Sequence, residues 1–314
     1  MAKIWEKHKG YIPALKYVNL TTRTCFRSIR IEGAERIPQE GAVILAPNHC
    51  AALMDPLLAL VLFGGKPVVF GARSDIFANP KVAKVLRWLR ILPIARERNG
   101  LTEVAKNFDT FKEIIDCLDH EVPFCLYPEG THNPEREMLP VKKGIFRIAK
   151  MAHDQLGVPV RIVPVGVNYE YFFFGQGRVV IRVGEPTEIG KEFARREGMA
   201  EADIYRELCT WLRDRDMALI GEELPRRHGD LLIRTLLALL SLPLFAICTV
   251  GSLLIWLPRM IIMHRMEDKA WSHTVRFVLH FIFPVLWIFH IPFERLTRFY
   301  RHLVEDFRRK VLSL

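Results

Sequence analysis

Two short stretches of the chain carry side chains that could move a proton and hold an anion. Asn48-His49-Cys50-Ala51-Ala52-Leu53-Met54-Asp55-Pro56 sets an imidazole and a carboxylate just past an apolar run, and Tyr127-Pro128-Glu129-Gly130-Thr131 follows about seventy residues later. A neutral imidazole keeps one ring nitrogen free to take a proton, while a carboxylate on the other nitrogen fixes the tautomer and stabilises the cation that forms. His49 and Asp55 therefore have the makings of a hydroxyl-activating dyad. Five residues lie between them, so they do not share a helical face; a loop histidine and an unrelated aspartate is the plain alternative. Gly130, lacking a Cβ, would let backbone N–H groups approach an anion closely, although a simple turn accounts for Pro128-Glu129-Gly130 equally well.

These residues need elements to hold them. Gly41 to Pro47 (GAVILAP) reads as a short buried strand and Leu53 to Phe63 (LMDPLLALVLF) as a helix, which puts His49 on the connecting loop and Asp55 in the first helical turn. The alternation continues with strands at 67–72, 91–95, 122–127, 160–165 and 178–183, and helices at 80–89, 101–118, 144–156 and about 201–220. The helix 101–118 carries Leu101, Val104, Ala105, Phe108, Phe111, Ile114, Ile115 and Leu118 on one stripe. Such alternation predicts an α/β fold with a largely parallel sheet flanked by helices. Both motifs then lie just past strand C-termini, where open sheets of this kind place their ligands. About 190 residues, 31–221, suffice for one such domain.

From about Ile31 to Val183, four blocks in order resemble the glycerolipid acyltransferases, which esterify glycerol 3-phosphate or lysophosphatidic acid. They are Asn48 to Asp55, Leu92-Pro93-Ile94-Ala95-Arg96, Tyr127 to His132, and Ile162-Val163-Pro164-Val165-Gly166. The family's usual spacing has four residues between His and Asp; the five found here are similar to the branch able to use glycerol 3-phosphate or dihydroxyacetone phosphate. The resemblance implies a glycerol-3-phosphate acyltransferase-like fold, with His49 as general base and Asp55 orienting it. It places Arg96, Glu129, Gly130 and Thr131 around the acceptor's phosphate and adds Asn48 and Lys142 to the substrate-binding set. Lys142 and Gly144 match a lysine-glycine step found in similar enzymes; a solvated lysine pair reads equally well. On its own chemistry, the Arg96 guanidinium is a fork matched to phosphate oxygens, and it also reads as an ordinary surface charge. Glu129 is odd in a phosphate pocket and is assigned to a basic side chain or an acceptor hydroxyl.

Rival chemistries leave no trace in the sequence. There is no Gly-x-Ser-x-Gly elbow, no Gly-x-Gly-x-x-Gly fingerprint and no Gly-Lys-Ser/Thr phosphate loop, and the six cysteines form no Cys-x-x-Cys pair. The net charge of +10 sits at the ends. Residues 1–40 hold eight Lys/Arg against four Asp/Glu, residues 41–220 hold 24 against 23, and residues 221–314 hold 13 against 8. A nucleic-acid binder would carry its basic stripe on the folded domain. Cationic ends beside apolar segments fit an anionic lipid surface instead.

The last third reads as membrane-embedded. Thr235 to Pro258 is an uncharged run long enough to span a bilayer, and Phe277 to Phe293, with Pro284 inside it, is marginal. Together, 231–293 is expected to form a membrane hairpin with a short loop around Glu267 to Trp271, ahead of a basic tail, 294–314. Residues 1–30 include an amphipathic stretch, Tyr11 to Arg30, that suits a membrane interface or packing against the domain. Met1 to Leu15 lacks the apolar core of a signal peptide, so the catalytic domain is expected to face the cytoplasm. The resulting expectation is a membrane-bound O-acyltransferase of phospholipid synthesis, moving a fatty acyl group from acyl-CoA or acyl carrier protein to glycerol 3-phosphate or lysophosphatidate. Its partners would be membrane lipids and these substrates, with no nucleic acid, metal or other cofactor. The alternatives are a lipid-binding or transfer protein on the same fold, and a lipid hydrolase using Cys50 with His49.

Overall fold

The computed structural model describes residues 3–6, 9–95, 107–221 and 230–312. The chain divides into two compact units, the first formed by 1–19, 30–168 and 180–222, the second by 20–29, 169–179 and 223–314.

The sheet is built from β1 (Ser28–Glu32), β2 (Ala42–Pro47), β3 (Val69–Arg73), β4 (Ile91–Ile94), β5 (Phe124–Cys125), β6 (Val160–Tyr169), β7 (Arg178–Val183) and β8 (Thr187–Glu188), in the order β1-β7-β6-β2-β5-β3-β4, with β8 on β6. β2 lies parallel to β5 and β6, and β3 parallel to β4 and β5. Only β8 runs antiparallel to its partner among these pairs. Every residue of β2 is buried, as a parallel strand covered on both faces requires, and this is why its sequence is continuously apolar. Its register, Ile44 opposite Phe124 and Leu45 opposite Cys125 on one side, Ala42 to Pro47 opposite Val160 to Val165 on the other, makes it a central strand. Chain leaving β2 and β5 in the same direction emerges on the same edge of the sheet.

The first unit's helices are α1 (Tyr11–Thr24, which continues into the second unit), α2 (Met54–Leu62), α3 (Pro80–Trp88), α4 (Asn107–Asp119), α5 (Gly144–Gln155), α6 (Ile189–Ala194) and α7 (Glu201–Leu219). Helix α3 starts where it does because the Asn79 side chain accepts from the backbone N–H groups of Lys81 and Val82, with Pro80 in the first turn. In α4 the expected stripe is only partly buried. Ile114, Ile115 and Leu118 join the core, whereas Phe108 is 55% exposed beneath the Lys112 ammonium; residues 101–105 of that stripe lie outside the described residues. Asn107 instead takes the buried position, accepting from the Ala95 N–H and donating to the Ala95 carbonyl, both at 2.8 Å. Gly166 is required by contact: a Cβ there would lie 2.6 Å from Leu219 Cβ, where the end of α7 crosses β6.

In the second unit, α8 (Leu231–Arg265) is longer than the uncharged run alone and begins where Asp230 accepts from the N–H groups of Leu232 and Ile233. At 1.5 Å per residue it is about 50 Å long, more than a bilayer core needs. It is the one described helix long and apolar enough by itself to cross a membrane. Its surface keeps Leu240 78% and Leu254 63% exposed, an apolar face far larger than isolated surface leucines produce. The second apolar run does not form a matching straight arm. It breaks at Phe283 and Pro284 into α9 (Ser272–Ile282) and α10 (Trp287–Leu312), which are bent by 107°, because Pro284 offers no N–H and clashes with a preceding helical turn. Helix α10 packs along α8, with the Phe245 and Phe293 rings stacked at 5.8 Å and the Ser241 hydroxyl 2.7 Å from the Tyr300 hydroxyl.

Candidate active site

The loop from Asn48 to Leu53 leaves the C-terminal end of β2 and turns into α2, whose first turn carries Asp55. Asp55 is fully buried, and its Oδ2 lies 2.6 Å from His49 Nδ1 while accepting the backbone N–H groups of Cys50 and Ala51, each at 2.7 Å. An oxygen that accepts two main-chain donors is an acceptor toward the ring as well. His49 Nδ1 therefore carries the hydrogen, which in the neutral ring puts the lone pair on Nε2. The five-residue spacing works because the loop folds back over the start of α2, and the same carboxylate that orients the ring holds the loop in that shape. The His49 side chain is 16% exposed, with the Tyr127 ring at 4.4 Å and the His132 ring edge-on at 5.6 Å.

Glu129 closes the other side. It follows β5 on the same edge, is buried, and accepts the His49 N–H on one oxygen and the Leu139 N–H on the other, both at 2.7 Å. The resemblance set Glu129 beside the acceptor's phosphate, and its chemistry suggested a basic side chain or a hydroxyl. In the structure each oxygen accepts a main-chain N–H, tying the histidine loop to the segment before α5. Burial pushes its carboxyl up to about 7, against the pull of those two hydrogen bonds, and the Asp55 charge adds to the rise. Asp216, on α7, gives no sequence signal but belongs to the same arrangement. It is buried, accepts the Val165 N–H at 3.1 Å, and is pushed well above the usual carboxylate range by burial and by Glu129.

Asn48 is also turned inward. Its amide donates to the Val167 carbonyl and accepts the Val167 N–H at 2.6 Å, with Cys50 Sγ 3.1 Å away. It stitches the β2 loop to β6, whereas the resemblance places it in the substrate-binding set. Gly130 and Thr131 are exposed at the turn, and Gly130 adopts φ +73°, the left-handed region that favours glycine. The Lys142 N–H donates to the Pro128 carbonyl at 2.8 Å, which brings the exposed Lys142 side chain alongside Gly130. His49, Asp55, Glu129, Gly130, Thr131 and Lys142 thus share one edge of the sheet. Arg96 lies outside the described residues.

The Cys50 thiol is buried, directed at the Glu135 carbonyl, and pushed well above its usual range by burial and then by the charges of Asp55 and Glu129. A nucleophilic cysteine needs the opposite environment. Among the described residues, no group of three or more His, Cys, Asp or Glu side chains is placed to hold a metal ion.

The family model described as Acyltransferase matches residues 28–168, the stretch that contains both loops. Over those residues the chain is similar to the acyltransferase family. Over 172 residues, half of this chain, the chain is 29% identical to a Bos taurus protein named 1-acyl-sn-glycerol-3-phosphate acyltransferase alpha, covering 54% of that relative. It is 32% identical over 83 residues to glycerol-3-phosphate O-acyltransferase 1 of Saccharomyces cerevisiae, covering 11% of it. The chain thus spans about half the length of the first of these relatives. The crystal structure of a Thermotoga maritima 1-acyl-sn-glycerophosphate acyltransferase aligns with a TM-score of 0.48 at 22% identity, over 68% of this chain and 81% of that one. The matched stretch holds every described residue of the predicted site.

Proposed function

We propose that the chain is a membrane-bound O-acyltransferase that moves a fatty acyl group from an acyl thioester to a hydroxyl of glycerol 3-phosphate or lysophosphatidate. The observation that carries this reading is the His49–Asp55 pair, held at 2.6 Å through Nδ1, so that Nε2 is the ring nitrogen turned to no protein partner among these contacts. His49 Nε2 takes the proton of the acceptor hydroxyl as its oxygen attacks the thioester carbonyl carbon. The tetrahedral intermediate collapses by breaking the C–S bond, and the departing thiolate takes the proton back from Nε2. No covalent acyl-enzyme is formed. The acceptor's phosphate sits at the exposed Gly130–Thr131 turn with Lys142, and the family resemblance adds Arg96. The names of the bovine and yeast relatives, which specify an acylglycerol phosphate and glycerol 3-phosphate, support an acceptor that bears a phosphate. Helix α8 anchors the chain, with the thioester donor, acyl-CoA or acyl carrier protein, met on the cytoplasmic side.

The test is transfer from labelled acyl-CoA and acyl carrier protein thioesters, offered to membranes holding the full chain with a panel of acceptors. Esterification of glycerol 3-phosphate or lysophosphatidate, lost on His49→Ala, is the expected result. Thioester hydrolysis without ester formation would point to the hydrolase instead, and full turnover by His49→Ala would refute the dyad.

A further inference from the structure

The second unit contains a cavity of about 730 Å³, within the range of small-molecule sites, lined by Arg27, Arg178, Arg234, Arg295 and Arg298 together with Tyr171 and His302. Its acidic lining is Glu170 and Asp306. Five guanidinium charges against two carboxylates leave a formal +3 around one cavity. The two carboxylates are already engaged, Glu170 with Arg178 at 3.3 Å and Asp306 with Arg234. Arg295 donates to the neutral Gln176 amide at 2.9 Å, and Arg298 lies over the Tyr171 ring. Among the described residues neither Arg27 nor Arg298 has a carboxylate ion pair. Like charges gathered on a concave surface raise each other's energy unless an anion joins them, and planar guanidinium forks are suited to phosphate oxygens.

The cavity also has a defined place along the helices. Arg234 is the last charge before the uncharged run of α8, and Arg295 and Arg298 follow the apolar first turns of α10. A cavity at the polar end of an apolar helix lies at the depth where lipid headgroups meet water. We infer that this cavity is a phosphate-binding site, filled by the headgroup of an anionic phospholipid. It is independent of the His49 loop and stands whether or not that loop transfers acyl groups.

The inference is tested on the full chain in detergent micelles by mapping which arginines react with phenylglyoxal, with added dihexanoyl phosphatidylglycerol, dihexanoyl phosphatidylcholine, sodium phosphate, or sodium chloride at matched ionic strength. Saturable protection of Arg27, Arg295 and Arg298 by phosphatidylglycerol, beyond that given by the zwitterionic lipid and by chloride, is expected. Equal protection by sodium phosphate at the same concentration would keep the phosphate chemistry and assign it to a soluble ester. No protection by either phosphate source, or protection matched by chloride, would overturn the site. In the Arg27→Gln/Arg298→Gln double variant, protection of Arg295 should need about tenfold or more lipid for each guanidinium removed; an unchanged requirement would also overturn it. Should that variant lose cooperative unfolding, the wild-type mapping, which needs no substitution, decides alone.

Discussion

Both units bury charge, and they do so in opposite ways. In the first, the Asp55 and Glu129 carboxylates are met by main-chain N–H groups, and the one basic side chain involved, His49, keeps a nitrogen unspent. In the second, Arg276 is fully buried and meets Glu294 at 2.8 Å, while its other side donates to His273 Nδ1, whose Nε2–H in turn donates to the Tyr171 carbonyl. Side chain there answers side chain, and His273 has both nitrogens engaged. Backbone donors can hold an anion without neutralising it, so the first arrangement leaves a base available for chemistry. A guanidinium that cancels a carboxylate leaves a structural joint. Substitutions should therefore separate activity from stability, differently in each unit.

The largest effect is expected at the dyad. Asp55→Asn keeps an acceptor oxygen where Oδ2 serves the Cys50 and Ala51 donors and the His49 ring, but no negative charge to stabilise the imidazolium that forms, and acyl transfer should fall by about 10² to 10⁴-fold. The unfolding midpoint should move little by comparison. Both are read by labelled transfer and thermal unfolding of one preparation; a large loss of stability with activity retained would erase the contrast between the units. In the second unit the expectation inverts. Arg276→Met leaves Glu294 buried without its counter-charge, which costs about 3 to 5 kcal/mol. Glu294→Gln paired with Arg276→Met should recover part of that loss. If the double variant is no more stable than the single one, the ion pair is not what joins α9 to α10.

The two regions also differ in how far the sequence announces them. The β2 strand and α2 helix were legible because a run of buried apolar residues and a helical pattern are both local, and they placed His49 and Asp55 correctly on loop and first turn. The work of Glu129 was not legible. Its partners are the N–H groups of residues 49 and 139, and a main-chain donor leaves no mark on residue type. Asn48 escaped for the same reason, being paired with the backbone of Val167, 119 positions away. Hydropathy found the run 277–293 but not its 107° bend, because composition records how apolar a segment is and not where Pro284 will turn it. The Arg276–Glu294 joint needs that bend and could not be read before it.

Glu129 offers a pH test of the first arrangement. Its carboxyl titrates at about 7 in the folded chain, above the ordinary value of 4.5. The proton therefore binds the folded state more tightly, and the stabilisation is fully present below about pH 4.5 and lost as pH rises through about 7. The shift corresponds to roughly 3 kcal/mol across that window. The unfolding midpoint of the wild-type chain should fall between about pH 5 and about pH 8, and Glu129→Gln should reduce that slope, Asp216, whose carboxyl is also raised by burial, supplying another part. An undiminished slope in the variant would mean that Glu129 ionises freely and that solvent reaches it.

The smallest effect sharpens the line between holding the site and touching the substrate. Asn48→Ala removes two hydrogen bonds to Val167 and leaves that buried peptide unpaired, at a cost of about 1 to 3 kcal/mol. Since its amide faces β6 and not the turn at Gly130, the loss should appear in the unfolding midpoint and in turnover, through a looser loop, with the acceptor's KM unchanged. Lys142→Ala should do the reverse. Its side chain is exposed, so stability should stay within about 0.5 kcal/mol, while the acceptor's KM rises several-fold as one cation leaves the phosphate's surroundings. The two variants, assayed side by side for KM and unfolding midpoint, assign each residue by which quantity moves. An acceptor KM raised by Asn48→Ala with stability intact would return Asn48 to the substrate-binding set.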